Sequence, residues 1–253
     1  MFQYDLDRLK SYSVNHENNI EIFDGNFFYA FCFPEVGYFN YAFQTSSAPF
    51  TVESVANIKK FYLERNILTH KFLVPARSAE SNRIISSDNN YTQTGIIAKT
   101  VFPSGRIVNQ IQEQGVSLTK VDDSNIETYT EIYLNGFEAE GRDAKKVAKN
   151  FRTLLSNKAV ELYLLKYQNE YVGINVLYNS GTESLLAGGA VLKEFRNNGY
   201  HKKGLSYRIQ HALRKPEVRN VMSWTYKDGV SYNNMIKLGM DFGEEFMVYE
   251  YDS

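Results

Sequence analysis

The sequence predicts an α/β (α+β) fold: a mixed, mainly antiparallel sheet flanked by helices over residues 113–253, preceded by a second α/β domain over 1–112. Three observations predict it. β-prone runs joined by short polar turns, such as Asp24-Gly25-Asn26 and Gln168-Asn169, have the form of antiparallel hairpins. Segments of helical period with cap residues at their starts follow them. The stretch PSGRIVNQIQEQ between Phe102 and Gly115 has little apolar material and parts two such series, and 253 residues accommodate two modest domains.

In the first series, a polar opening leads to Ile20–Phe23, the Asp-Gly turn and the aromatic run Phe27–Pro34, which has strand length. Tyr38–Gln44 is a further strand. Thr51 is positioned to cap a helix with Val52, Val55, Ile58 and Tyr62 on one face, ending near Arg65 or Asn66. Phe72–Pro75 and Tyr91–Phe102 complete the series as strands.

The second series is more regularly punctuated. Val116–Val121 alternates as a strand, and Ser124 with Glu127 fits a capping box ahead of a helix carrying Ile126, Tyr129, Ile132, Tyr133 and Phe137. Asp143 caps a second helix whose apolar face is Val147, Phe151, Leu154 and Leu155. Val160–Tyr167 and Glu170–Tyr178 form a hairpin. Ser184–Phe195 is a third strand, in which Gly188-Gly189 suggests a bulge, a close backbone approach or a bend. After the turn RNNGYHKKG come a helix with Leu205, Ile209, Ala212 and Leu213, a strand at Val221–Tyr226, a helix at Ser231–Leu238 and a strand at Phe246–Tyr251.

Hydrophobic residues make up 43% and charged residues 23% of the chain, enough for packed cores. Lys+Arg 28 against Asp+Glu 29 gives a net charge of −1, which removes the broad attraction that nucleic acid or an anionic membrane requires. The single cysteine, Cys32, forms no internal disulfide, and no Cys/His grouping has metal-ligand spacing, so no metal is expected. The N-terminal residues lack a signal-type apolar core and no run of about 18 apolar residues occurs. A cytoplasmic setting is the expectation.

Chemistry is carried by Arg196-Asn197-Asn198-Gly199-Tyr200-His201, followed by Lys202 and Lys203. Such a turn leaves backbone N–H groups unpaired at a helix start, where the helix dipole also favours an anion. The segment resembles the R/Q-x-x-G-x-G/A signature of the GNAT superfamily, and the element order across Val116–Ser253 is similar to that family's. His201 departs from the Gly or Ala of the pattern. Asp228–Met240 is similar to the family's N-x-x-S-x-x-L-Y-x-K-x-G-F segment: Ser231, Lys237 and Gly239 align, while Met235 replaces the Tyr that supplies a proton to the leaving thiolate in many members.

The resemblance implies an N-acetyltransferase that uses acetyl-CoA and an amine acceptor, with the alternative of a non-catalytic acyl-CoA-binding or partner-binding module. It implies coenzyme binding by Ala190, Val191 and Leu192 on a strand diverging from Val221–Tyr226, by Arg196 to Lys203, and by Ser231. Tyr232, one turn before Met235, and Glu138 or Glu140 are candidates for proton transfer, each against a plainer reading as a packing or solvated residue. FYLERNILTHKFLVP, Phe61 to Pro75, faintly resembles the degenerate half of two-domain members but lacks the glycine turn. The first domain is then expected to cover the acceptor site without catalysing, and a homodimer is left open. His16, His70 and His211 are isolated in sequence and Cys32 sits among aromatics, so structural roles are expected. Trp224 is expected in the core or at the acceptor pocket.

Overall fold

The structure is a computed structural model that describes residues 5–14, 19–34, 36–108, 115–139 and 141–252. Glu140, His16 and the 112/113 boundary lie outside these residues. In chain order the elements are α1 (Leu6–Ser13), β1 (Glu21–Asp24), β2 (Phe28–Cys32), β3 (Tyr41–Gln44), α2 (Val52–Leu63), β4 (Lys71–Pro75), α3 (Ala79–Ser86), β5 (Tyr91–Pro103), β6 (Val116–Lys120), α4 (Ile126–Gly136), α5 (Ala144–Leu155), β7 (Val160–Tyr167), β8 (Glu170–Ser180), β9 (Glu183–Val191), α6 (Tyr200–Leu213), β10 (Asn220–Tyr226), α7 (Val230–Lys237) and β11 (Asp241–Tyr251).

All eleven strands join one sheet in the order β1-β2-β3-β4-β11-β5-β10-β9-β8-β7-β6. Only β3/β4 and β9/β10 pair in parallel. A separate N-terminal domain is not shown, because the two series exchange their last strands. β5, from the first series, pairs with β10 of the second, and β11, from the second, pairs with β4 of the first. The expected mixed, mainly antiparallel sheet therefore runs unbroken through both parts. Within it the strand-strand-strand-helix-strand-helix-strand order of β1 to β5 repeats as β7 to β11.

Strand periodicity divides the core. Phe31, Phe43, Leu73 and Met222 face a shared layer with Leu9 of α1, Tyr129 of α4 and Phe151 of α5. Their neighbours Ala30, Ala42 and Phe72 face Val55, Ile58 and Tyr62 of α2, and Val221 faces Leu205 and Ile209 of α6. One face thus carries α1, α4 and α5, and the other α2 and α6. Cys32 is buried in this packing, and burial pushes its thiol up to about 11, which makes it inert at neutral pH.

Several local expectations change. α1 and α3 were not foreseen. Val52 is exposed, and Phe61 takes its place on the buried face of α2. The capping box at Ser124 does not form: its backbone N–H and hydroxyl both bond Asp122 Oδ1, at 2.8 and 2.6 Å, and the helix starts after Asn125 without a side-chain cap. Thr51 and Asp143 do cap α2 and α5, the former in a reciprocal box with Ser54. Among the described residues no helix is long and apolar enough to cross a membrane, and no group of three His, Cys, Asp or Glu residues could hold a metal ion.

Candidate active site

The site begins at an irregularity in β9. Val176 of β8 faces Gly188, but Tyr178 faces Leu185, so β9 holds one extra residue at Leu186 and Ala187. The bulge immediately precedes the glycine pair that suggested it. Parallel pairing of β9 with β10 stops at the Leu185–Met222 pair, although β9 continues to Val191 and β10 to Tyr226. The strands therefore part, as the resemblance implied. Two glycines hold the surroundings close: a Cβ on Gly173 would stand 2.3 Å from the Ala190 carbonyl oxygen, and one on Gly136 would stand 2.9 Å from Ala190 Cβ.

Beside the parted strands, Arg196 to Lys203 forms the turn into α6. Gly199 is in the left-handed region, with φ 75°, and offers no side-chain cap. From Asn197 to Lys202 no backbone N–H has a partner among the described residues; the next one, of Lys203, bonds the Gly199 carbonyl. All of the residues from Asn197 to Lys202 but Asn198 line a cavity of about 530 Å³, together with Ala190, Val191, Arg196 and Ser231 among others.

Not every residue of the turn presents its side chain there. Arg196 is turned back: it bonds the carbonyls of Val191 and Gly136, at 3.2 and 2.9 Å, and pairs with Glu138 at 2.6 Å. Asn198 bonds back to the carbonyls of Phe195 and Arg196. Lys203 is buried with its ammonium over the Tyr200 ring, so only Lys202 of the two lysines lines the cavity. Leu192 does not line it either, since its N–H bonds the Val172 carbonyl and its own carbonyl accepts from Phe195.

His201 leans across to α7, where its Nδ1 lies 3.2 Å from Asn234 Nδ2. Burial, and then the charge of Arg208, lower its pKa to about 4, so the imidazole is neutral at pH 7. It lines this first cavity and also a second one of about 490 Å³. Gly189, Phe137 and Ser231 are shared in the same way, and there the two cavities meet.

The second cavity passes through the sheet at the parted strands. Leu205, Arg208 and Met235 line it on the α6 side, and Tyr133 and Phe151 on the α4/α5 side. The first series closes it with Arg8 and Tyr12 of α1 and the loop Val36–Phe39. Trp224 of β10 also lines it and hydrogen-bonds the Tyr38 hydroxyl, tying the covering loop to the cleft. Arg8 is neutralised by Asp5, with contacts of 2.5 and 2.6 Å, both residues being buried. No Asp or Glu lines either cavity among the described residues.

The proton-transfer candidates are not brought to this centre. Tyr232 lines neither cavity. Glu138 is held below the usual carboxylate range by its hydrogen bond and charge pairing with Arg196, which makes it a weak base. Met235 does line the second cavity, with its sulfur 3.3 Å from the Thr100 hydroxyl. His211 and His70 take structural places: the first bonds Glu161 at 3.0 Å, and the second stacks on Tyr62 and bonds the Tyr91 hydroxyl. Sequence reasoning missed Arg208, Asn234 and the covering residues. Only Arg208 left a signal, a charged residue on the apolar face formed by Leu205, Ile209 and Ala212.

With this geometry established, known structures provide a comparison. A GCN5-related N-acetyltransferase from Kribbella flavida superposes with a TM-score of 0.65 at 12% identity, covering 97% of this chain and 95% of its own. One from Sphaerobacter thermophilus gives 0.68 at 11%, covering 90% and 81%. The chain has the GNAT fold. A tandem GNAT protein from the clavulanic acid biosynthesis pathway gives a TM-score of 0.59 at 13% identity, over 83% of this chain and 74% of its own. No family profile matches the sequence, and no curated protein matches it.

Proposed function

We propose that the chain is an acyl-CoA-dependent N-acyltransferase that moves an acetyl group from acetyl-CoA to a primary amine. The observation that carries this reading is the run of unpartnered N–H groups from Asn197 to Lys202, opening on a cavity beside the parted β9 and β10. A pyrophosphate fits it on three grounds: a helix start supplies donors and positive potential, Gly199 lets the backbone approach, and Lys202 adds a charge. Ala190, Val191 and Ser231 line the same space and would hold the pantetheine arm. Arg196 acts through the turn's shape, anchoring it to α4 rather than reaching the phosphates.

The acceptor amine would enter the second cavity, where aromatic rings from both series exclude water. The first 112 residues serve as a second, degenerate GNAT-like half that completes this pocket, which the tandem neighbour supports. In transfer, the amine nitrogen bonds the acyl carbon, the carbon–sulfur bond breaks, and the proton lost by the amine balances the thiolate formed. His201, its pKa lowered to about 4, is a weak base, and no carboxylate lines either cavity among the described residues, so that proton passes to water.

The competing reading is an acyl-CoA-binding module without turnover, and a specific observation favours it: Met235 stands at the cleft where the family's Tyr would donate a proton, and its sulfur is already engaged by Thr100. Isothermal titration with acetyl-CoA tests what both readings share, and no heat at millimolar ligand refutes both. Thiol release across an amine panel then decides between them.

A further inference from the structure

Among the described residues, Arg208 is the buried cation lining the second cavity that has no neutralising acid. It is 1% exposed, lies on α6 and lines the second cavity. Nε donates to the Gly204 carbonyl at 3.2 Å, and Nη1 to the carbonyls of Val176 and Gly188 at 2.9 and 2.6 Å. These bonds satisfy carbonyls at the β9 bulge. Nη2 has no partner among the described residues.

Two further facts direct Nη2 at a ligand. Gly189 faces it without a side chain: a Cβ there would stand 3.0 Å from Nη2 and 3.4 Å from Asn175 Oδ1, so any larger residue would crowd this approach. Asn175 Nδ2, beside it, is also buried without a partner. Burial lowers the pKa of Arg208 to about 9, so the guanidinium remains charged at pH 7 but at an energetic cost. Carbonyl dipoles soften that cost without cancelling the charge. Arg8, lining the same cavity, has Asp5 for this purpose.

We propose that Nη2 of Arg208 anchors a carboxylate carried by the substrate, so that the protein acts on a carboxylate-bearing reactant rather than on simple neutral ones. A singly charged carboxylate balances one guanidinium, whereas a phosphate dianion would leave a surplus negative charge in a cavity whose lining includes Leu205, Val176 and Met235. The carboxylate has two sources: the far end of a dicarboxylic acyl group on the thioester, or the acceptor amine. The inference rests on the acyltransferase reading and deepens it.

The test uses the full chain. Isothermal titration compares acetyl-CoA, butyryl-CoA and succinyl-CoA, the last two of equal chain length and differing in the terminal carboxylate. Thiol release with acetyl-CoA then compares amino acids with the amines that lack only the carboxyl group. A preference of about tenfold or more for the carboxylated member is expected in one arm, and the arm identifies the source. R208M should abolish that preference and R208K keep part of it. If either variant fails to fold, the wild-type comparison still decides. Acetyl-CoA binding and thiol release with no preference in either arm overturn the carboxylate anchor and leave acyl transfer standing. No binding of any thioester overturns both.

Discussion

Gly204 gives the sharpest test of how the site is packed, because two effects of opposite sign meet there. In an open helix interior, replacing Gly by Ala stabilises by about 0.5–1 kcal/mol, since Gly has more backbone freedom to lose. At Gly204 the new Cβ would stand 2.6 Å from Asn175 Oδ1, 2.9 Å from Nδ2 and 3.1 Å from Cγ. Asn175 is 3% exposed in the middle of β8, so its amide cannot swing out into solvent. Overpacking of this kind costs about 1–3 kcal/mol and outweighs the helix gain. G204A should therefore lose about 1–2 kcal/mol, read as a lower urea midpoint at unchanged m-value and a melting temperature lower by about 2–8 °C. Adding N175A should return part of the loss, giving a coupling of about 1 kcal/mol between the two positions. A G204A variant at or above wild-type stability would refute the close approach of α6 to β8, and with it the position assigned to Arg208 one turn later.

Three further outcomes are expected. At Gly199, φ is 75° and the nearest atom to an added Cβ is Lys203 Cε at 4.0 Å, so strain alone decides: G199A should cost about 1 kcal/mol and G199N distinctly less, and equal urea midpoints would contradict this. His70 and His201 both have pKa values lowered to about 4, chiefly by burial. The unfolded chain therefore binds more protons below pH 6.5, stability is complete above that pH and falls towards pH 4, and an H70Q/H201Q variant should show a shallower fall in urea midpoint. Glu161 has its pKa lowered to about 2, hydrogen bonds from Tyr163 and Lys215 and the charges of Lys215 and His211 outweighing its desolvation. Its contribution is present above about pH 4.5 and lost as pH falls towards 2, so E161Q should remove that acid-side loss in a pH series of thermal melts.

The second series was legible because its signals are local. Asp143 as a cap, Gln168-Asn169 as a hairpin turn and Gly188-Gly189 beside a bulge each act within a few residues, and each stands where the sequence placed it. The exchange of β5 and β11 was not legible. Tyr91–Phe102 is recognisable as a strand, but nothing in it states which of two equivalent edges it will join. The 1–112 boundary followed sequence order, whereas pairing follows the sheet. The cavity cover was hidden for the same reason: Arg8, Tyr12 and Tyr38 meet Tyr133 and Trp224 only through tertiary packing. At Ser124 the capping pattern was present, but Asp122 two residues earlier took both its donors, a local competition that the spacing rule omits.

The repeated topology explains why one half carries an open cleft and the other does not. β3/β4 and β9/β10 are equivalent parallel pairs, each followed or bridged by an equivalent helix. In the first half, pairing covers Tyr41–Phe43 of a strand that ends at Gln44, so nothing remains to part. Its helix is capped by Thr51, whose side chain accepts from Ser54 N–H while Ser54 Oγ accepts from Thr51 N–H at 2.8 Å, so two of the donors at this helix start are used internally. In the second half, β9 runs on beyond its last pair with β10, the bulge turns it aside, and Gly199 caps α6 without a side chain. The difference between a closed half and an open one thus reduces to strand length, one inserted residue and the chemistry of a single cap. Of these, the cap is decisive for an anion, because a parted strand pair alone offers space, whereas unpartnered N–H groups at a helix start offer a reason to fill it.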